Sequence, residues 1–457
     1  MKKKHPIITG TIILTVTGMV SRLIGFFYRI YLSRLFGEEG MGIYQLLGPV
    51  TALTFSITAA GLQTAISKHV AVETSTKNYR SSARVLTVGL GISLLLSGLC
   101  MWIIRKYSRW IATEFLLEER TETMLQIIAL SIPLGAVHSC INGYFYGIKK
   151  TGVPSATQLA EQLCRVACVF LASLTADELG ITHDIGVAVV GLVIGEGFAM
   201  IISIIAIFYR FRNLAKTSTP APYLQAALHT TPIASHKTTA KALLAMAVPL
   251  SVSRIVINLL QSAEAIYIPN KLQVYGYDTT TALSVYGVLT GMALPLIFFP
   301  SALTNSICVL LLPMVSEAQE SGNHAGVQKA TRLSILFSTC FGAVCTVLFL
   351  LLGRFAGEKL FHSSLAGHFI ITLSFICPFL YLSATMSSIL HGLGKTAATF
   401  ALNVAALGIR LLFVFFLVPR FGIEGYLWGL LISHLSTTWL EVLAVKYYTK
   451  KSSKELP

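Results

Sequence analysis

The stretch Leu333-Ser-Ile-Leu-Phe-Ser-Thr-Cys340-Phe-Gly-Ala-Val-Cys345-Thr-Val-Leu-Phe-Leu-Leu-Leu352 holds no charged residue, and Arg332 and Arg354 stand just beyond its two ends. A helix of that length rises about 30 Å, the thickness of a bilayer's hydrocarbon core. Comparable apolar runs lie at roughly 7–31, 41–67, 85–104, 124–146, 155–174, 185–209, 243–268, 283–312, 369–390, 396–418 and 425–447. With 333–352 they make twelve. The run at 283–312 is long, and Pro295 and Pro300 predict a tilt or kink in it. Of the 457 residues, 54% are hydrophobic and 12% charged. A soluble domain carries about 25% charged residues, so the excess apolar surface must face lipid. The expected fold is an all-α integral membrane protein with about twelve transmembrane helices. Met1–Lys4 and the run after them mimic a secretory signal, but the run is too long and lacks a small-x-small cleavage site. It reads as an uncleaved first span.

The net charge of +15 does not point to nucleic acid, because the basic residues sit between apolar runs rather than in one solvated block. Counted over alternate loops, one side holds 21 Lys and Arg and the other 9. The positive-inside rule then places both termini in the cytoplasm, and an even number of spans, which puts both ends on one side, is consistent with that. The eight cysteines all fall inside apolar runs without a CxxC pair, and even Cys164 and Cys168, at i,i+4, read as packing residues. Neither a P-loop nor an HExxH occurs, and no metal or cofactor is expected.

The chain divides into 1–209, a Ser/Thr/Pro-rich cytoplasmic linker at 210–241, and 242–457. The two flanking parts resemble each other. Gly147-Ile-Lys-Lys150-Thr151 and Gly392-Leu-Gly-Lys395-Thr396 stand 245 residues apart, as do Gln158 and Asn403, and Arg165 and Arg410. Val20-Ser21-Arg22 matches Val252-Ser253-Arg254, Tyr44 matches Tyr286 and Glu73 matches Glu317, at offsets that drift as small gaps would make them. Six spans per part make the repeats parallel, related by an axis along the membrane normal. Such transporters hold substrate in a central cavity between the halves and rock them for alternating access.

Charges within spans are costly and mark cavities or pairs. Span one places Gly18, Arg22, Gly25 and Arg29 on one helix face; span seven places Arg254, Asn258 and Gln261 in a stripe, with Glu264 at its margin. As repeat partners, Arg22 and Arg254 form two guanidinium forks suited to a pyrophosphate. Arg29, near a span end, is also placed to snorkel. Glu161 and Arg165 form an i,i+4 pair in span five. Ala406 replaces the Glu in the second half, so Arg410 needs another partner, and Glu441 is a candidate. Glu196, between two glycines, reads equally as a protonation site or a buried neutral carboxyl. His138 and Asn142, on one face of span four, and His434 read as hydrogen-bonding residues. Glu38-Glu39 reads as a solvated turn.

Together, Gly18-Met-Val-Ser-Arg22-Leu-Ile-Gly25-Phe-Phe-Tyr-Arg29-Ile-Tyr-Leu-Ser-Arg34-Leu-Phe-Gly37, Gly40-Met-Gly-Ile-Tyr44 and the two Gly-x-x-Lys-Thr junctions resemble the stage V sporulation protein B family. That family lies in the multidrug/oligosaccharidyl-lipid/polysaccharide exporter superfamily. The resemblance covers nearly the whole chain. It implies a bacterial plasma-membrane flippase for polyprenyl-diphosphate-linked saccharides, such as lipid II-like peptidoglycan or spore-cortex precursors. It also implies arginines of spans one and seven on the diphosphate: here Arg22 and Arg254, joined by Arg29. Many such relatives carry fourteen spans, the last two of which can form a lipid-binding groove; twelve are read here. Glu264 stands where relatives often have Asp.

The expected activity is therefore transport, not catalysis. Asn258 and Gln261 join the substrate arginines, and Glu264, Glu196, Glu161, Arg165 and Arg410 are the coupling or charge-balancing groups. The expected partners are the lipid-linked saccharide, membrane lipid, Na⁺ or H⁺ as coupling ion, and cell-wall synthesis proteins. The alternatives are a cation-coupled multidrug exporter of the same superfamily and a non-transporting scaffold of cell-wall synthesis. The exporter branch needs a carboxylate deep in span one, where this chain has arginines. A membrane glycosyltransferase lacks support, since the acidic outer loop with Asp177, Glu178 and Asp184 holds no DxD.

Overall fold

The computed structural model describes residues 6–76, 78–180, 184–217 and 235–452, so most of the expected linker lies outside the described residues. Among the described residues, regular structure is helical throughout. Twelve helical stretches are long and apolar enough to cross a membrane, but they do not map one-to-one onto the expected runs. The runs at 7–31 and 41–67 fall in one helical stretch, Ile13–Ser75. The run at 283–312 is divided into Thr279–Phe298 and Ser301–Glu320.

Backbone angles explain both differences. Gly37, at φ 70° and ψ −172°, breaks the first stretch with a sharp turn that an L side chain would strain. That turn splits a stretch far too long for one crossing. Phe299 and Pro300 keep helical angles, so the chain passes through them in one direction and 279–320 makes a single bent crossing. Pro300 lacks the N–H that would continue the ladder, which is why the bend falls there. Three five- or six-residue π turns interrupt the helices, at Ser56–Ala60, Ile111–Phe115 and Val288–Ala293.

By contacts the chain forms two compact units, Met1–Ile24 with Leu47–Asn258, and Gly25–Leu46 with Leu259–Pro457. Relative to a division at 209 and 242, the segment 25–46 groups with the second unit and 242–258 with the first. The first unit's core includes Ile66, Val70, Val85, Ile141, Tyr144 and Phe145. The second unit's core includes Leu311, Val315, Ala330, Met386, Ile389 and Leu390, each 245 positions later. Helix ends keep the same offset. Lys150 N–H donates to Phe145 O at 2.9 Å, and Lys395 N–H to Leu390 O at 2.8 Å. The left-handed residue of this cap is Lys149 in one place and Gly394 in the other. Asn78 accepts from Ser81 N–H as an N-cap, and Asn323 accepts likewise from Gly326 N–H.

Small residues bring helices together. A Cβ at Gly287 would lie 2.2 Å from Glu38 O, and one at Gly42 would lie 2.1 Å from Leu283 O. Both neighbours are backbone and cannot swing aside. Gly287→Ala is therefore expected to lower the thermal midpoint in detergent, at an overpacking cost of about 1–3 kcal/mol. An unchanged midpoint would mean these helices separate freely.

Candidate functional site

Five arginines lie within the apolar runs read from the sequence, and they fall into two groups. Arg165 and Arg410 are neutralised. Arg165 pairs with Glu161 one turn earlier on the helix Gly152–Leu179, as the i,i+4 spacing predicts. Arg410, on Thr396–Phe416, lies 3.3 Å from Glu264 of the helix His236–Tyr275. This corrects the expectation that Glu441 partners it. Glu441 is fully buried and accepts instead from Ser387 Oγ at 2.6 Å. Glu264 is available because Tyr426 Oη, donating at 2.8 Å, already holds its Oε1 in place.

Arg22, Arg29 and Arg254 differ. Each side chain is exposed at the protein surface, and among the described residues none lies in an ion pair with a carboxylate. Gln261 is exposed as well. Asn258 is half-buried, and its amide nitrogen donates to Ser56 Oγ at 2.6 Å and to Ala52 O at 3.1 Å. It thereby braces the start of the π turn at Ser56–Ala60, where the helical ladder is interrupted.

The first unit holds a second polar cluster. His138 Nε2, on the helix Ser131–Gly147, lies 3.5 Å from Glu196 Oε2 on Gly186–Thr217. Ligating atoms of His138, Glu161 and Glu196 lie within 4.8 Å of one another. That spacing suits a shared proton or a bound cation, and the Arg165 guanidinium beside Glu161 lowers the charge available to a metal. Local packing sets this cluster. Gly191 and Gly195 let their helix sit against the backbone of Arg165 and Glu161. At Gly135 an added Cβ would come within 3.2 Å of Glu196 Oε2, so the glycine leaves room for the carboxylate. Glu196 also lines a cavity of about 310 Å³ with Thr51, Thr54, Thr58 and Ser131. Asn142, by contrast, accepts from Thr157 Oγ at 3.4 Å.

Sequence reasoning did not find Tyr426, Gly135 or the cavity beside Glu196, since single Tyr, Gly and Thr residues in spans carry no pattern. It also missed Arg34, which donates to Leu360 O at 2.8 Å and Lys359 O at 2.6 Å and so caps a helix C-terminus.

A family model described as polysaccharide biosynthesis protein matches residues 7–319. Stage V sporulation protein B of Bacillus subtilis (strain 168) is 27% identical over 444 residues, covering 97% of this chain and 84% of that protein. Lipid II flippase MurJ of the same organism is 23% identical over 474 residues, covering 98% and 84%. Among solved structures, an inward-facing multidrug resistance MATE family transporter of the MOP superfamily aligns with a TM-score of 0.71 at 14% identity, covering 98% of this chain and 100% of the other. Lipid II flippase MurJ in an inward closed conformation aligns with a TM-score of 0.71 at 15% identity, covering 97% and 90%. At such identities the structural likeness establishes the fold.

Proposed function

The chain belongs to the polysaccharide biosynthesis protein family, and on that premise we propose that it flips a polyprenyl-diphosphate-linked saccharide across the bacterial plasma membrane. It is a multi-pass membrane transporter of the flippase and exporter kind, not an enzyme. In our reading, two parallel six-helix repeats, 1–209 and 242–457, alternate access to a central cavity. Both termini and the 210–241 linker are cytoplasmic. The 245-residue correspondence of cores and caps supports the repeat.

The substrate class rests on one contrast. Arg165 and Arg410 have carboxylate partners, while Arg22, Arg29 and Arg254 are exposed and outside any described ion pair. An uncompensated arginine inside a bilayer needs water or an anion. Guanidinium forks suit a diphosphate, whose oxygens accept paired hydrogen bonds and whose hydration must be replaced during crossing. Gln261 and Asn258 are read as saccharide contacts beside these arginines, Asn258 while also donating to Ser56 Oγ. The polyprenyl tail stays in lipid.

The test is reconstitution in liposomes with a labelled polyprenyl-diphosphate saccharide and, beside it, a neutral polyprenyl saccharide without the diphosphate. Faster movement of the first alone is expected. Equal rates for both, or no acceleration by a folded preparation under imposed Na⁺ and H⁺ gradients, would remove the anionic substrate.

Coupling is assigned to the cluster of His138, Glu161, Arg165 and Glu196, with Arg410 and Glu264 balancing charge in the second unit. Glu196 faces the cavity and shares its environment with a histidine and a second carboxylate. Glu196→Gln, which preserves shape, is expected to cut the response of flipping to an imposed Na⁺ or H⁺ gradient at least several-fold while keeping the midpoint. An unaltered gradient response would place coupling elsewhere.

A further inference from the structure

The helix that begins at His324 and the helix that ends at Ser452 lie side by side at one end of the second unit, and a cleft of about 770 Å³ opens between them. Its described lining carries three cations, Arg332, Lys446 and Lys450, and no carboxylate. The spacing follows from helix geometry. Gln328, Thr331, Arg332, Ile335 and Leu336 share one face of the first helix, and Val445, Lys446, Thr449 and Lys450 share one face of the second. Three like charges around one hollow make it attractive to an anion.

The cleft is also amphiphilic along its depth. Arg332 is the last charged residue before the run 333–352, and Lys446 ends the run at 425–447, so both cations stand at the border of apolar segments. Leu336, one turn beyond Arg332, lines the same hollow and is 62% exposed. The two threonine hydroxyls are already used, Thr331 donating to Val327 O at 2.8 Å and Thr449 to Val445 O at 2.7 Å. The recognition offered is therefore cationic at the mouth and apolar below. A neighbouring hollow of about 670 Å³ shows the contrast, for it has both Glu317 and Lys329 in its lining and no excess of charge.

We propose that this cleft is a binding site for an anionic glycerophospholipid, with the headgroup phosphate between Arg332, Lys446 and Lys450 and an acyl chain along Leu336. A free phosphate would use only the mouth and leave Leu336 exposed. The inference needs the chain to sit in a bilayer, and does not depend on which substrate it carries. Placing the lipid in the inner leaflet uses the basic-loop orientation.

The test uses the full-length protein in neutral detergent, titrated with phosphatidylglycerol, phosphatidylcholine and inorganic phosphate, with bound lipid read by native mass spectrometry. Phosphatidylglycerol is expected to bind, and the Arg332→Gln/Lys446→Gln/Lys450→Gln variant to bind it about 100-fold more weakly, at roughly fivefold per cation. Leu336→Asn is expected to weaken the lipid several-fold. Should the triple variant unfold, Lys446→Gln/Lys450→Gln, which alters only exposed lysines, is expected to show about a 25-fold loss. Equal retention by folded variants overturns the site. Phosphatidylcholine binding as tightly as phosphatidylglycerol overturns its charge selectivity. Inorganic phosphate displacing the lipid at equal concentration would make it a simple anion site and overturn the lipid assignment. All readouts are binding in detergent, so a failed flipping assay leaves this result standing.

Discussion

Arg254→Ala is expected to reduce flipping of a polyprenyl-diphosphate saccharide by roughly 100-fold or more, with little change in thermal midpoint. The side chain is exposed and has no described ion pair to lose, so removing it leaves no buried charge behind. Its expected work is on the substrate. A guanidinium fork offers two charge-assisted hydrogen bonds of about 1.5–3 kcal/mol each. Losing both raises the barrier by about 3 kcal/mol, and each 1.36 kcal/mol is tenfold in rate. Arg254→Lys keeps the charge and loses the planar fork, so an intermediate loss of about tenfold is expected. Arg22→Ala is expected to behave as Arg254→Ala does. The measurement is leaflet exchange of a labelled lipid in liposomes, alongside a melting curve for each variant. If Arg254→Ala flips at the wild-type rate, the arginines are snorkelling or packing residues, and the substrate site must be sought at the His138 and Glu196 cluster.

Much of the fold could be read from apolar run lengths, because a bilayer imposes a length on any helix that crosses it. The 245-residue offset was legible as well, and the cores and helix caps keep it: Tyr144 and Ile389, Lys149 and Gly394, Asn78 and Asn323 occupy matching places. Features set by contact between distant segments were not legible. That Arg410 needs a carboxylate follows from the low dielectric around it; that Glu264 and not Glu441 supplies it follows from how the helices pack. The i,i+4 pair of Glu161 and Arg165 was readable because both ends lie on one helix. His138 meets Glu196 because Gly135 clears the space. The π turn at Ser56–Ala60 has no sequence signature, so the bracing role of Asn258 appears only with coordinates. Nor does composition reveal that residues 25–46 group with the second unit while 242–258 group with the first.

Glu264→Gln is expected to destabilise the protein by about 3–5 kcal/mol, and a second change at Arg410 should restore most of it. Glu264 is 8% exposed and Arg410 19%, so the pair is largely shielded from water. Glutamine keeps an oxygen for the Tyr426 hydroxyl, so the substitution isolates the charge from the hydrogen bond. What remains is a guanidinium with no described counter-charge in a low-dielectric site. Breaking one half of a buried pair costs more than the pair contributes for that reason. Glu264→Gln/Arg410→Met removes both charges at similar volume, and its midpoint should return close to wild type. Tyr426→Phe removes only the hydrogen bond and should cost about 1.5–3 kcal/mol, less than the charge change. Thermal unfolding of the wild type, Glu264→Gln, Arg410→Met and the double variant in one detergent gives the cycle, with an expected coupling of at least about 2 kcal/mol between positions 264 and 410. If the double variant is as unstable as Glu264→Gln alone, the two side chains are not coupled, and Glu264 is held for Tyr426. If flipping and its gradient response survive in a stable double variant, the pair is structural, and coupling rests on the first unit's cluster alone.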